Sequence, residues 1–201
     1  MHRFVALFAA TALFAQDGAT RENWPHYGGQ TSAWRYSALD QVNSSNVAKL
    51  TPVWTFQTGD NEGGLQATPI VIDGVMYLST SHNRVFAIEA ATGRELWSYY
   101  FQLPKGFTIF YGPWNRGLAV ADGRVFLGTL DNHVVALDAK NGRELWKVNV
   151  EDANQCGCNI TAAPLVVKGK VIVGVTGGDS AHRGYVNAFD AKSGKHLWRF
   201  W

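Results

Sequence analysis

Short apolar bursts recur along this chain in pairs, each pair split by a polar turn. ATPIVIDGVMYLST (67–80), GLAVADGRVFLGT (117–129) and AAPLVVKGKVIVGV (162–175) are rich in Val, Ile and aromatic residues, and are interrupted by Asp73-Gly74, Asp122-Gly123 or Lys168-Gly169. Two β-rich runs around such a turn predict a hairpin. Downstream of each hairpin comes a near-identical string: AIEAATGRELW ending at Trp97, ALDAKNGRELW ending at Trp146, and AFDAKSGKHLW ending at Trp198. Thr92-Gly93, Asn141-Gly142 and Ser193-Gly194 place a glycine where a tight turn needs positive φ, so each string reads as strand, turn, strand. Four strands per unit follow. Nothing between the runs has the length or the 3.6-residue apolar period of an amphipathic helix.

The closing tryptophans are separated by 49 and then 52 residues. That interval matches a four-stranded propeller blade of roughly 40 to 50 residues. The predicted fold class is therefore all-β, a β-propeller represented by three blades over 65–201. The recurring Trp is expected to pack between adjacent blades, its indole N–H bonded to a backbone acceptor. A closed ring needs at least four blades. The three units thus predict part of a longer protein; assembly with a second chain is the less favoured reading.

Composition bounds the function. The chain has 201 residues, 46% hydrophobic and 17% charged, with a formal net charge of +2. It can build a core, and it has no block of Lys or Arg to serve nucleic acid or an anionic membrane. Residues 1–15, MHRFVALFAATALFA, join a basic start at Arg3 to a twelve-residue apolar run. This pattern predicts a signal peptide, cleaved after Ala15, and hence an exported, periplasmic chain with no transmembrane span once mature.

Between the leader and the first blade, 16–64 carries the most specific string. Trp24, Tyr27-Gly28-Gly29, Arg35-Tyr36-Ser37, Leu39-Asp40-Gln41-Val42-Asn43, Asn46-Val47, Leu50 and Trp54 resemble the N-terminal signature of the pyrroloquinoline quinone (PQQ)-dependent alcohol and methanol dehydrogenases. The Trp strings resemble that family's docking motif. The resemblance implies an eight-bladed ring with the quinone at its axis, of which this chain is the N-terminal part, and a strand within 16–64 that completes the last blade. It also implies a small alcohol as substrate, calcium or a lanthanide as metal, and an electron-acceptor protein such as a cytochrome c. The catalytic base would lie outside this chain, so no catalytic residue is assigned and the fragment alone is expected to be inactive. The alternative is a non-catalytic propeller of the same repeat type that binds protein partners.

The same resemblance places the cofactor-binding residues. Arg116 of Asn115-Arg116-Gly117 matches a position that hydrogen-bonds the quinone oxygens, a task suited to a guanidinium. Thr161 and Thr176 supply hydroxyls, Gly177 and Gly178 permit close backbone approach, and Asp179 offers a carboxylate to the metal. By composition alone, Arg116 is also an ordinary loop arginine and Thr176-Gly177-Gly178-Asp179 an ordinary turn.

Several positions depart from the family. Asp179 stands where Glu is usual, and Gln66, a cofactor-binding candidate that can hydrogen-bond but adds no charge, stands where many members have Glu. Phe110-Tyr111-Gly112-Pro113-Trp114 occupies the place of an adjacent-cysteine ring over the quinone. The two cysteines of this chain are Cys156 and Cys158. Two readings of them stand: a small disulfide ring replacing the missing lid, or two structural thiols. By spacing alone the pair implies neither zinc nor haem c. His82 and His133 are expected in surface turns.

Overall fold

The computed structural model describes residues 23–60, 62–179 and 181–201. The predicted signal peptide, 1–15, lies outside the described residues. Three four-stranded antiparallel sheets follow one another along the chain. The first contains β1 (Ile70–Ile72), β2 (Val75–Ser79), β3 (Arg84–Glu89) and β4 (Glu95–Tyr100). The second contains β5 (Ala119–Ala121), β6 (Arg124–Gly128), β7 (His133–Asp138) and β8 (Glu144–Asn149). The third contains β9 (Leu165–Val167), β10 (Lys170–Gly174), β11 (Val186–Asp190) and β12 (His196–Phe200). In all three, strands pair in sequence order, as the hairpin reading predicts.

The first hairpin of each sheet turns where the sequence punctuates it. Asp73-Gly74 has φ of 50° and 77°, Asp122-Gly123 49° and 69°, and Lys168-Gly169 46° and 70°. Two successive positive φ values define the type I′ turn, whose twist matches the flanking strands. The second hairpin carries a five-residue connection, and all three sheets shift register at the same place, at Ala87/Ile88, Ala136/Leu137 and Ala188/Phe189.

Alternation along the middle sheet explains why its strands are apolar on both faces. Val125, Leu127, Val135 and Leu137 pack toward the first sheet, against Tyr77, Val85 and Trp97. Phe126, Val134 and Ala136 point the other way, toward Val171, Val173 and Phe189 of the third. Each sheet thus buries its side chains against its neighbour rather than within itself.

The tryptophans lock this stacking one repeat ahead. Trp97 Nε1 donates to the carbonyl of Ala139 at 3.0 Å, and Trp146 Nε1 to that of Ala191 at 3.2 Å. Each indole lies on the turn glycine of the next string, Gly142 or Gly194. Trp54 repeats the arrangement from outside the three sheets, donating to Ala90 O at 3.1 Å and covering Gly93. Residues 51–58 around it belong to no strand. The third sheet's Trp198 is 40% exposed, and Phe200 and Trp201 beside it are exposed as well.

Strand order fixes where chemistry can sit. In a sheet of four consecutive antiparallel strands, the first and third turns fall at one end; the middle turn and the entry and exit segments fall at the other. The second end therefore gathers residues 59–69, 101–118 and 150–164 with the β2–β3, β6–β7 and β10–β11 loops. Within 150–164 lies one helical turn, α1 (Ala153–Cys156), capped by the Asp152 side chain and ended by Gly157 at φ 59°. Among the described residues, no helix is long and apolar enough to cross a membrane.

Candidate functional site

Every residue singled out for cofactor or metal binding lies at that loop end. Arg116 and Thr161, 45 positions apart, are held together twice. The Arg116 backbone N–H donates to Thr161 O at 2.8 Å, and its Nη1 donates to Thr161 Oγ1 at 2.7 Å. Thr161 is 5% exposed, whereas Arg116 is exposed. Accepting from Arg116 leaves the Thr161 hydroxyl proton available for another acceptor.

Asn115 stiffens the loop that carries Arg116. It is buried, accepts from Ser79 Oγ at 2.7 Å and from the Gly117 N–H at 3.0 Å, and donates to Gly128 O at 3.0 Å. Sequence reasoning missed it as a positioning residue, although it precedes Arg116 directly. It also missed Asn159. That fully buried amide donates to Phe110 O at 2.7 Å and accepts from Thr176 Oγ1 at 2.6 Å, while its own N–H donates to Thr176 Oγ1 at 3.0 Å.

These bonds change the reading of Thr176. Its hydroxyl proton is committed to Asn159, so Thr176 joins two loops rather than presenting a free donor. Asn159→Ala should free Phe110 O and the Thr176 hydroxyl proton, while the backbone bonds between Asn159 and Thr176 remain, and lower stability by about 1–3 kcal/mol, the cost of leaving buried partners unsatisfied. Chemical denaturation of the complete protein measures it, and a change below about 0.5 kcal/mol would contradict the role assigned to Asn159.

Gly177 has φ of 107°, and a Cβ added there would lie 3.1 Å from His182 Cβ and 3.5 Å from Cys158 Cβ. At Gly178 an added Cβ would meet nothing within 4 Å, leaving the backbone open to a ligand. Asp179 is exposed on the same loop, and Gln66 is exposed in the segment entering β1. Among the described residues, no group of three or more His, Cys, Asp and Glu ligand atoms includes Asp179. A hard cation taking six to eight oxygens would need most of its ligands from elsewhere.

Cys156 and Cys158 are joined by a disulfide. The ring lies near Phe110, since a Cβ added to Gly157 would stand 4.0 Å from Phe110 Cε1. The two histidines are partly rather than fully exposed, and both face carboxylates. His82 sits 3.5 Å from Asp60 and 3.3 Å from Glu62, and the His133 ring lies 3.1 Å from Asp131, with side chains only 27% and 21% exposed. Asp60 and Gly64 accept from Thr80 and Ser81 of the β2–β3 loop, long-range contacts that local turn patterning does not encode.

Along the inner strands runs a cleft of about 460 Å³, walled by Tyr27, Gly28, Ile70, Leu118 and Val166, with Arg116 also lining it. The fold is a stack of propeller blades, with a guanidinium–hydroxyl clasp, a glycine-rich loop and an exposed carboxylate at one end.

The comparisons agree. Residues 24–201 match the family model PQQ: glucose/ethanol/alcohol dehydrogenase, β-propeller domain, and the chain belongs to that family. It is 39% identical over 201 residues to a quinohemoprotein alcohol dehydrogenase of Comamonas testosteroni, covering 96% of this chain and 28% of the relative. To the quinoprotein alcohol dehydrogenase PedH of Pseudomonas putida it is 44% identical over 165 residues, covering 82% and 28%. The crystal structure of the Comamonas testosteroni enzyme superposes with a TM-score of 0.81 at 40% identity, covering 89% of this chain and 27% of that one. A europium-containing methanol dehydrogenase gives 0.82 at 36% identity, covering 90% and 32%. The chain thus spans little more than a quarter of the curated relatives' length.

Proposed function

We propose that this chain is the N-terminal part of an exported, periplasmic PQQ-dependent dehydrogenase that oxidises an alcohol, with calcium or a lanthanide at the quinone and a cytochrome c as electron acceptor. The observation that carries this reading is the Arg116–Thr161 clasp, found at the loop end of a propeller of the quinone-binding family. In this reading 51–58, which forms no strand by itself, would join a blade completed by the rest of the longer protein, which accounts for Trp54 docking as Trp97 and Trp146 do.

The residues fit the group. PQQ is a planar, polyanionic quinone, and Arg116 offers a cation, Thr161 a free hydroxyl proton, and Gly178 an uncrowded backbone. When bound, the quinone supplies the two-electron acceptor for alcohol oxidation. Arg116 would hold the cofactor's oxygens and stabilise negative charge there; Thr161 would fix the guanidinium and donate to a carboxylate; Asp179 would supply one metal oxygen. A non-catalytic scaffold has no use for this clasp beside the Gly177–Asp179 loop.

The test is artificial-dye reduction by the complete protein reconstituted with PQQ and either Ca²⁺ or a lanthanide ion, over a panel of primary alcohols. Alcohol-dependent reduction is expected with at least one metal. None with either metal would overturn the assignment.

A further inference from the structure

A second cluster at the loop end lies outside the clasp. We infer that Glu151, Cys158 and His182 form a redox-gated site for a thiophilic divalent cation such as Zn²⁺, closed while the Cys156–Cys158 disulfide stands and opened by its reduction.

The three residues come from separate segments, after β8, after α1 and from the β10–β11 loop, yet their ligand atoms all lie within 4.8 Å of one another. Cys158 is fully buried, and the other two are half-buried. Their surroundings are polar and incompletely bonded. His182 Nε2 is buried without a hydrogen-bond partner, while the Tyr185 phenol lies between Glu151 and Asn132 and interacts with both. Asn132 itself is completely buried and donates Nδ2 to Cys158 Sγ at 2.9 Å and to Cys156 Sγ at 3.5 Å. A buried imidazole nitrogen with no partner, within 4.8 Å of a sulfur and a carboxylate, calls for an occupant. Facing groups are Arg199, whose Nη1 is 3.7 Å from Glu151 Oε2, and Tyr185, whose phenol is pushed up by burial and by Glu151 and so stays neutral.

Imidazole and carboxylate nitrogen and oxygen donors with a thiolate are a zinc set, but a disulfide sulfur is not a thiolate. The disulfide therefore acts as the gate. A dithiol donor attacks the partly exposed Cys156 Sγ, the S–S bond breaks, and Cys158 leaves as thiolate. The donor's second thiol then attacks the mixed disulfide, is itself oxidised to a disulfide, and releases Cys156 as a thiol. Metal captures the Cys158 thiolate, and one proton is released relative to the fully reduced dithiol. This ligand set is distinct from the all-oxygen chemistry of Asp179.

The complete protein is titrated with Co²⁺ as the probe, before and after reduction by a phosphine that does not bind the metal. One equivalent should develop a sulfur-to-cobalt charge-transfer band only after reduction, and Zn²⁺ should bleach it. Cys156→Ser should give the band without reductant, Cys158→Ser should never give it, and His182→Ala or Glu151→Gln should weaken binding about 10- to 100-fold. The inference is overturned by a reduced wild-type protein with no band, by a band that survives Cys158→Ser, or by unchanged affinity in His182→Ala. Reduced wild type needs no substitution, so the test stands even where a variant misfolds.

Discussion

Gly142→Ala is expected to destabilise the protein by about 3 kcal/mol, whereas the chemically identical Gly123→Ala costs only about 1. Both glycines have positive φ, 71° and 69°. An L-residue in that region pays about 1–2 kcal/mol in either place. The difference is what the new methyl meets. At Gly123 nothing lies within 4 Å, but at Gly142 the added Cβ would stand 2.5 Å from Trp97 Cε3 and 2.8 Å from Cδ2. Trp97 cannot step aside, because it is 9% exposed and its Nε1 is tied to Ala139 O. Overpacking of this kind adds about 1–3 kcal/mol. Urea unfolding of the two variants in the complete protein measures the gap. Equal losses would mean that the indole does not rest on the turn, and that the docking seen at Trp54, Trp97 and Trp146 contributes little to holding blades together. Combining Gly142→Ala with Trp97→Leu should recover part of the overpacking cost, since the two sites share one contact.

That contact also marks what the sequence could and could not reveal. The hairpins were legible because their determinants are local: Asp73-Gly74 and Asp122-Gly123 carry the turn chemistry in two residues. The Trp docking was legible because the repeat displays the donor and its acceptor side by side, although they meet one blade apart. The site was legible only through the resemblance. Nothing in the spacing of Arg116 and Thr161 says that they touch; the sheet order brings them together. Asn115 and Asn159 were missed for a physical reason. A buried loop must satisfy its own polar groups, and which amide does so depends on the neighbouring blade. His82 and His133 went wrong in the same way, through acidic neighbours, Asp60 for one and Asp131 for the other, that only the folded loops define. The Thr176 hydroxyl, which the sequence reading offers to a cofactor carboxylate, donates in the folded loops to Asn159, a contact that no local pattern encodes.

The largest functional effect should come from Arg116. Arg116→Ala is expected to lower alcohol-dependent dye reduction about 100- to 1,000-fold, the loss that follows removal of one preorganised donor at a centre of developing charge. Stability should change by no more than about 0.5 kcal/mol, because the guanidinium is exposed and the backbone bond to Thr161 O survives the substitution. Those two readouts together separate a site residue from a structural one. Arg116→Lys keeps the charge but loses the planar fork and the fixed Nη1 to Thr161 contact, so it should recover only part of the rate. Thr161→Val leaves the guanidinium in place but removes its anchor and the one free hydroxyl proton beside it. It should therefore weaken PQQ binding more than it slows the loaded enzyme. Full activity in Arg116→Ala at saturating PQQ would show that the clasp lies off the quinone. Loss of activity accompanied by unfolding would show that Arg116 holds the blades rather than the cofactor.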